Sequence, residues 1–109
     1  MPSVVFGSAA RAELIEARDW YSTRDAELAV RFTAEVERVV DRIAAAPQHF
    51  PVVYRDVRRA RCRRFPYALF FRVMDETVHV IACFHSRRDP GQWQRAARLA
   101  ARSDDGSMP

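Results

Sequence analysis

The apolar residues of this chain keep one period up to residue 43 and another after residue 59, and that switch restricts the fold more than any other feature. Ala29, Phe32, Val36, Val39, Val40 and Ile43 fall on one stripe of a helix, and Arg31, Glu35, Glu37, Arg38, Asp41 and Arg42 fill most of its other sides. Pro47 ends the helix, because proline lacks the N–H that would continue it. Ahead of it, Ala10, Leu14, Ala17 and Tyr21 recur at spacings that make a second helical face, with Ser8 and Asp25 as expected N-caps and 22–25 as the connection. The two helices form a hairpin, and the hairpin must lay its stripe on another element. The residues after the switch supply one. Gln48–Asp56 reads as a loop leading into a strand. Arg59–Phe65 alternates, with Arg59, Arg61 and Arg63 on one side and Ala60 and Cys62 on the other. Tyr67–Met74 is apolar on both faces apart from Arg72, which suits a central strand. Asp75-Glu76 reads as a two-residue turn. Thr77–His85 then places Val78, Val80, Ala82 and Phe84 on one face and His79, Ile81, Cys83 and His85 on the other.

Ser3–Phe6 is a short β-type run at the start. Asp89-Pro90 opens a last helix, with Trp93, Ala96, Ala97 and Ala100 on one face. The order is strand, two helices, three antiparallel strands and a C-terminal helix. It predicts an α+β fold with the first strand and the hairpin packed on a twisted antiparallel sheet. Residues 1–102 are expected to form one domain and 103–109 a disordered tail. No apolar run approaches the roughly 20 residues needed to span a bilayer, and the first residues lack the pattern of a signal peptide. The expected location is the cytoplasm. Cys62 and Cys83 lack CxxC spacing and read as small buried residues.

Charge separates the two halves. Residues 1–50 carry 6 arginines against 8 acidic groups, while residues 51–109 carry 12 against 6, and the chain has no lysine. Arg55, Arg58, Arg59, Arg61, Arg63 and Arg64 put six arginines into ten residues, opposed by Asp56 alone. Such density repels itself without an anionic partner, and arginine's planar fork suits phosphate or carboxylate. Period-two alternation lines these charges along one strand face, which favours a docking surface over a solvated edge. RNA phosphate and acidic protein side chains both remain candidates.

The segment Arg58-Arg59-Ala60-Arg61-Cys62-Arg63-Arg64-Phe65-Pro66-Tyr67-Ala68-Leu69-Phe70-Phe71-Arg72-Val73 resembles the arginine-led strand and central strand of RelE/ParE toxins. Val78–Phe84, followed by His85-Ser86-Arg87-Arg88-Asp89-Pro90, resembles the family's next strand and its basic end, and the element order agrees over nearly the whole chain. The resemblance implies the toxin half of a type II toxin–antitoxin pair, bound and neutralised by a cognate antitoxin, with no metal and no cofactor. ParE-like members inhibit DNA gyrase; RelE-like members cut mRNA on the ribosome. On the RelE-like alternative, Arg59, Arg61 and Arg88 would stabilise charge at the scissile phosphate, and His85 would add a group that titrates near neutrality. On either branch Arg58, Arg59, Arg61, Arg63, Arg64, Arg87 and Trp93 are the expected contacts to antitoxin or anionic target. Two departures favour the ParE-like branch. RelE-like enzymes carry an arginine just after the aromatic that opens the central strand, where this chain has Ala68 after Tyr67. Several also carry a C-terminal tyrosine where this chain has Trp93, which stacks but transfers no proton.

Other combinations of residues carry less. His79, Cys83 and His85 have zinc-ligand chemistry, but three groups along one flat strand seldom converge on a tetrahedral ion. His85, Ser86 and Asp89 contain the groups of a hydrolytic triad, but neighbours on a strand point apart and no GxSxG turn is present. Tyr21 and Phe32 read as core, and Trp20, beside that stripe, as an exposed anchor.

Overall fold

The computed structural model describes residues 2–85, so the expected C-terminal helix and tail lie outside the described residues. Strand β1 (Ser3–Phe6) leads into helices α1 (Ser8–Arg24) and α2 (Ala26–Ala45). A short 3₁₀ turn (Pro47–His49) follows, then β2 (Val52–Tyr54), β3 (Val57–Arg61), β4 (Tyr67–Met74) and β5 (Thr77–His85). The strands form one sheet in the order β1-β5-β4-β3-β2. The helical hairpin covers one face of it, which is the α+β arrangement expected. Strands β2 to β5 are antiparallel neighbours, whereas β1 joins β5 in parallel. The sheet is therefore mixed at one edge. The hairpin acts as a long crossover from β1 to the far edge, and the chain then returns strand by strand to finish beside β1. The expected loop before β3 also holds β2, a three-residue edge strand.

Asp25 makes the hairpin sharp. Its carboxylate accepts the Glu27 backbone N–H at 2.9 Å as the N-cap of α2, while its own N–H donates to the Tyr21 carbonyl at 2.9 Å and closes α1. One residue thus serves both helix ends, and the expected connection at 22–25 shrinks to Asp25 alone. Ser8 is the first helical residue rather than the cap. Gly7 takes that position and ties its N–H to the Val80 carbonyl at 2.9 Å, which locks the exit of β1 to β5.

The α2 stripe is the centre of the core. Phe32, Val39 and Ile43 are 0% exposed, and Tyr67, Leu69, Phe71, Val78, Val80 and Cys83 are buried against them from the sheet. Phe32 packs on Tyr21, Phe65 and Tyr67 at centroid distances of 5.2, 5.3 and 5.4 Å, so one side chain joins both helices, β4 and the loop before it. Leu69 and Phe71 meet the helices, while Ala68 and Phe70 are buried on the opposite face with Val57 and Ala82. That two-sided burial is why β4 reads as apolar throughout. Asp75 and Glu76 have φ of 51° and 63°, the left-handed pair that a tight β4–β5 hairpin requires.

β5 departs from its sequence pattern. The register against β4 slips between Phe70 and Phe71, so Phe71 pairs with Val80 and Phe70 with Ala82, leaving Ile81 as a bulge. Val78 and Val80 face the helices, but Ala82 and Phe84 turn to the opposite face, and Cys83 and His85 turn toward the helices. The expected single face Val78-Val80-Ala82-Phe84 is corrected accordingly. β1 reaches only as far as Val80, and the Cys83 N–H beyond it is taken by Glu13 of α1 at 2.9 Å. Burial raises the Glu13 carboxyl above its ordinary value; the Cys83 N–H acts the other way, and Glu16 adds to the rise.

Replacing Phe32 with alanine is expected to cost about 3–5 kcal/mol, the range for emptying a buried aromatic site, and urea unfolding of the two proteins measures it. Glu13 gives a prediction with a sign. Its pKa is higher folded than unfolded, so the stability linked to it is present below the unfolded value and lost as pH rises through the folded one. Glu13→Gln retains an acceptor for Cys83 without the buried charge. Its unfolding free energy at pH 7 should equal or exceed that of the native protein, and this part of the pH slope should vanish from urea titrations.

Candidate functional site

The six arginines of residues 55–64 do not form one surface. Arg59 and Arg61 pair across β3–β4 with Phe70 and Ala68, which places them on the sheet face away from the helices. Arg58 pairs with Phe71 on the helix side, and its guanidinium donates to the carbonyls of Phe50 at 2.6 Å and Gln48 at 3.3 Å. It staples the turn between α2 and β2 to the sheet. Arg55 sits in the β2–β3 turn with φ of 51°, its guanidinium 5.4 Å from the Tyr54 ring centre. β3 ends at Arg61, and Arg63 and Arg64 leave the sheet in the loop before β4. The expected alternating face thus contains Arg59 and Arg61 and stops before Arg63.

Glu35 makes that departure possible. It receives two guanidinium N–H groups from Arg38, each at 2.8 Å, and also the backbone N–H of Arg63. Arg38 above all, then the Arg63 N–H, holds the Glu35 carboxyl below its ordinary value. The loop is therefore fixed to α2 through its main chain, and Arg64 takes a left-handed φ of 68° that turns the chain back into β4. The Arg63 and Arg64 side chains stay exposed over a cleft of about 500 Å³ whose floor is Leu28, Ala34 and Phe65. Sequence reading grouped Arg63 and Arg64 with the strand and missed this cleft. The i,i+3 pair Glu35–Arg38 on an otherwise regular helix was the available signal.

On the open sheet face, the Arg59 Nε is buried and meets no acceptor among the described residues. Around it lie Val57, Ala68, Phe70 and Ala82, with Tyr54, Ile81 and Phe84 partly packed on them. The face is therefore apolar with two cations at one side. Arg72, further along it, pairs with Asp56 at 3.0 Å.

The bulge at Ile81 decides where the histidines point. His79 pairs with Arg72 on the open face, while His85 pairs with Tyr67 on the helix face and packs edge-on against its ring at 5.2 Å. His79 is thus parted from Cys83 and His85 by the thickness of the sheet, which removes the zinc arrangement considered above. Among the described residues no group of three His, Cys, Asp or Glu side chains is placed to hold a metal. His85 is likewise on the opposite face from Arg59 and Arg61, with which it was grouped as a possible catalytic set. Arg87, Arg88, Trp93, Ser86 and Asp89 fall outside the described residues.

Burial pushes the thiols of Cys62 and Cys83 up to about 12, so both are neutral near pH 7 and unsuited to nucleophilic work. Trp20 is 43% exposed, set edge-on to Tyr21 at 5.1 Å with the Arg24 guanidinium 3.7 Å above its ring centre. It stands at the surface, as expected, already capped by a cation. Among the described residues no helix is long and apolar enough to cross a membrane.

Comparison with known proteins agrees with this geometry. A chain in the solved structure "Chromosomal ParDE TA system from P. aeruginosa" superposes with a TM-score of 0.69 at 20% identity, over 78% of this chain and 96% of that one. At that identity the likeness shows the fold. No curated protein sequence matches the chain. Residues 4–90 match the family described as the ParE toxin of the type II toxin–antitoxin system parDE. A match over that much of the sequence places this chain in the ParE toxin family of type II toxin–antitoxin systems.

Proposed function

We propose that this protein is a non-enzymatic toxin of the cytoplasm that inhibits DNA gyrase by binding it and is held inactive by a cognate antitoxin. The observation that carries the reading is the division of charged and titratable groups between the two faces of the sheet. Phosphodiester cleavage needs fixed cations at the phosphate and a group that moves a proton near neutral pH, all within reach of one another. Arg59 and Arg61 lie on the open face, and His85 lies on the other. The neighbour of Arg61 across the strand pair is Ala68, buried at 1% exposure, where RelE-like enzymes place an arginine. A methyl group there offers nothing to a phosphate. His79 shares the open face but pairs with Arg72, one strand beyond Arg59 and past the bulge.

A binding role fits the same surface. Phe70 and Phe84 supply apolar area, and Arg59 and Arg61 supply cations that need carboxylate or phosphate partners. The buried Arg59 Nε has no acceptor among the described residues, and an unmatched buried donor costs about 1–3 kcal/mol that a partner's carboxylate would recover. This supports a protein target engaged by side chains in place of a bond broken in RNA.

Purified protein, released from any antitoxin, is expected to block supercoiling of relaxed plasmid by gyrase in a dose-dependent way, and Arg59→Ala together with Arg61→Ala should raise the dose needed by about tenfold, as for loss of two desolvated charge contacts. Unchanged supercoiling at high excess of soluble, folded protein contradicts the reading.

A further inference from the structure

The outer side of the helical hairpin, away from the sheet, carries an apolar furrow between α1 and α2. Its floor is Phe6, Leu14, Val36 and Val40, and it encloses about 510 Å³. It continues past Arg18 and Thr33 into a shallower hollow of about 320 Å³ beside Val30. Ile15 on one wall is 41% exposed, and Val30 at the far end is 68% exposed. Apolar ridges beside an open furrow mark a contact surface more often than a solvated one.

The two rims of the furrow have opposite charge. Arg11 and Arg18 are seven residues apart on α1, so they project from one side of it with Ile15 between them. Arg18 reaches only its exposed neighbour Asp19, at 3.4 Å, and Arg11 has no ion pair with a described carboxylate. Glu37 and Asp41, four residues apart on α2, form the other rim. Neither has an ion pair among the described residues, and like charges at that spacing repel.

We propose that this face pairs with the same face of a second copy of the chain, across a two-fold axis that runs along the furrow. A two-fold in that direction sets α1 of each copy over α2 of the other. The helices turn back on each other at Asp25, with Arg11 14 residues before it and Asp41 16 residues after it. The axis therefore brings Arg11 to the partner's Asp41 and Arg18 toward the partner's Glu37, each contact made twice. Ile15 enters the partner's furrow over Val36 and Val40. A two-fold across the furrow would set arginine against arginine, so charge selects the first direction. Charge also selects the occupant. A phosphate backbone would meet Glu37 and Asp41, and a uniformly acidic or basic protein would meet one rim of its own sign. The occupant must carry both signs at this spacing, and the hairpin of a second copy does. Arg59 and Arg61 lie on the far face of the sheet, so the pairing leaves them uncovered in both copies.

The test is sedimentation equilibrium of the full-length chain, freed of antitoxin, over a micromolar range of concentration. The native chain is expected to be dimeric. Ile15→Glu, and separately Asp41→Arg, should weaken self-association by roughly tenfold or more, as for a charge buried or opposed twice in one interface. Arg11→Glu added to Asp41→Arg exchanges the charges of the rims and should restore most of the affinity, which a merely damaged surface does not do. All three positions are exposed, and thermal melts establish that each variant folds. A native chain that stays monomeric overturns the proposal. So does a dimer that neither Ile15→Glu nor Asp41→Arg weakens, or one that the double exchange leaves as weak as Asp41→Arg alone. A monomeric native chain whose affinity for the protein encoded by the adjacent reading frame falls with Ile15→Glu gives the furrow to the antitoxin and also overturns the proposal.

Discussion

The contact of Phe32 with Tyr21, Phe65 and Tyr67 is the one on which the rest of the structure depends. It joins both helices, the central strand and the loop that leads into that strand. Because Phe32 and Tyr67 fix how α2 lies across β4, they also fix which way Glu35 projects, three residues further along the helix. Glu35 in turn takes the Arg63 N–H and turns the loop away from the sheet. The separation of the five arginines from Arg58 to Arg64 into three groups follows from that packing. Arg58 holds the turn after α2, Arg59 and Arg61 occupy the open face, and Arg63 and Arg64 stand over α2. A chain that looks from its sequence like one basic strand presents two cationic surfaces facing different ways.

The second constraint is the bulge at Ile81. One additional residue in β5 reverses the side-chain faces after Val80, so Cys83 and His85 turn inward toward the helices and Phe84 turns outward. The edge that β1 leaves uncovered beyond Val80 exposes the Cys83 N–H, and the half-buried Glu13 carboxylate satisfies it. The bulge is what parts His85 from Arg59 and Arg61, which lie on the opposite face of the sheet.

The strongly periodic parts of the fold were legible in the sequence. The α2 stripe, the apolar run Tyr67–Met74 and the Asp75-Glu76 turn appear where their patterns put them, because burial on one stripe or on both faces leaves a regular mark. Features set by tertiary pairing left no such mark. The direction of β1 depends on where the chain returns after the hairpin, and four residues carry no sign of it. The bulge has no marker residue, since Ile81 fits either face. For the site, alternation placed Arg59 and Arg61 correctly relative to each other. It failed at Arg63 because a hydrogen bond from a helix 28 residues earlier outweighs continuation of the strand. The cleft beside Phe65 is formed by that same long-range contact and was invisible for the same reason.

On the proposed reading, this ParE-family chain stops DNA metabolism by binding gyrase and leaves RNA uncut. The most direct measurement is a short pulse of induced expression in bacteria, with labelled precursors of DNA and of protein followed over the first minutes. The account predicts that DNA synthesis falls first and an SOS response follows while protein synthesis continues. Protein synthesis falling first, with DNA synthesis still running, would contradict it and assign Arg59 and Arg61 to RNA.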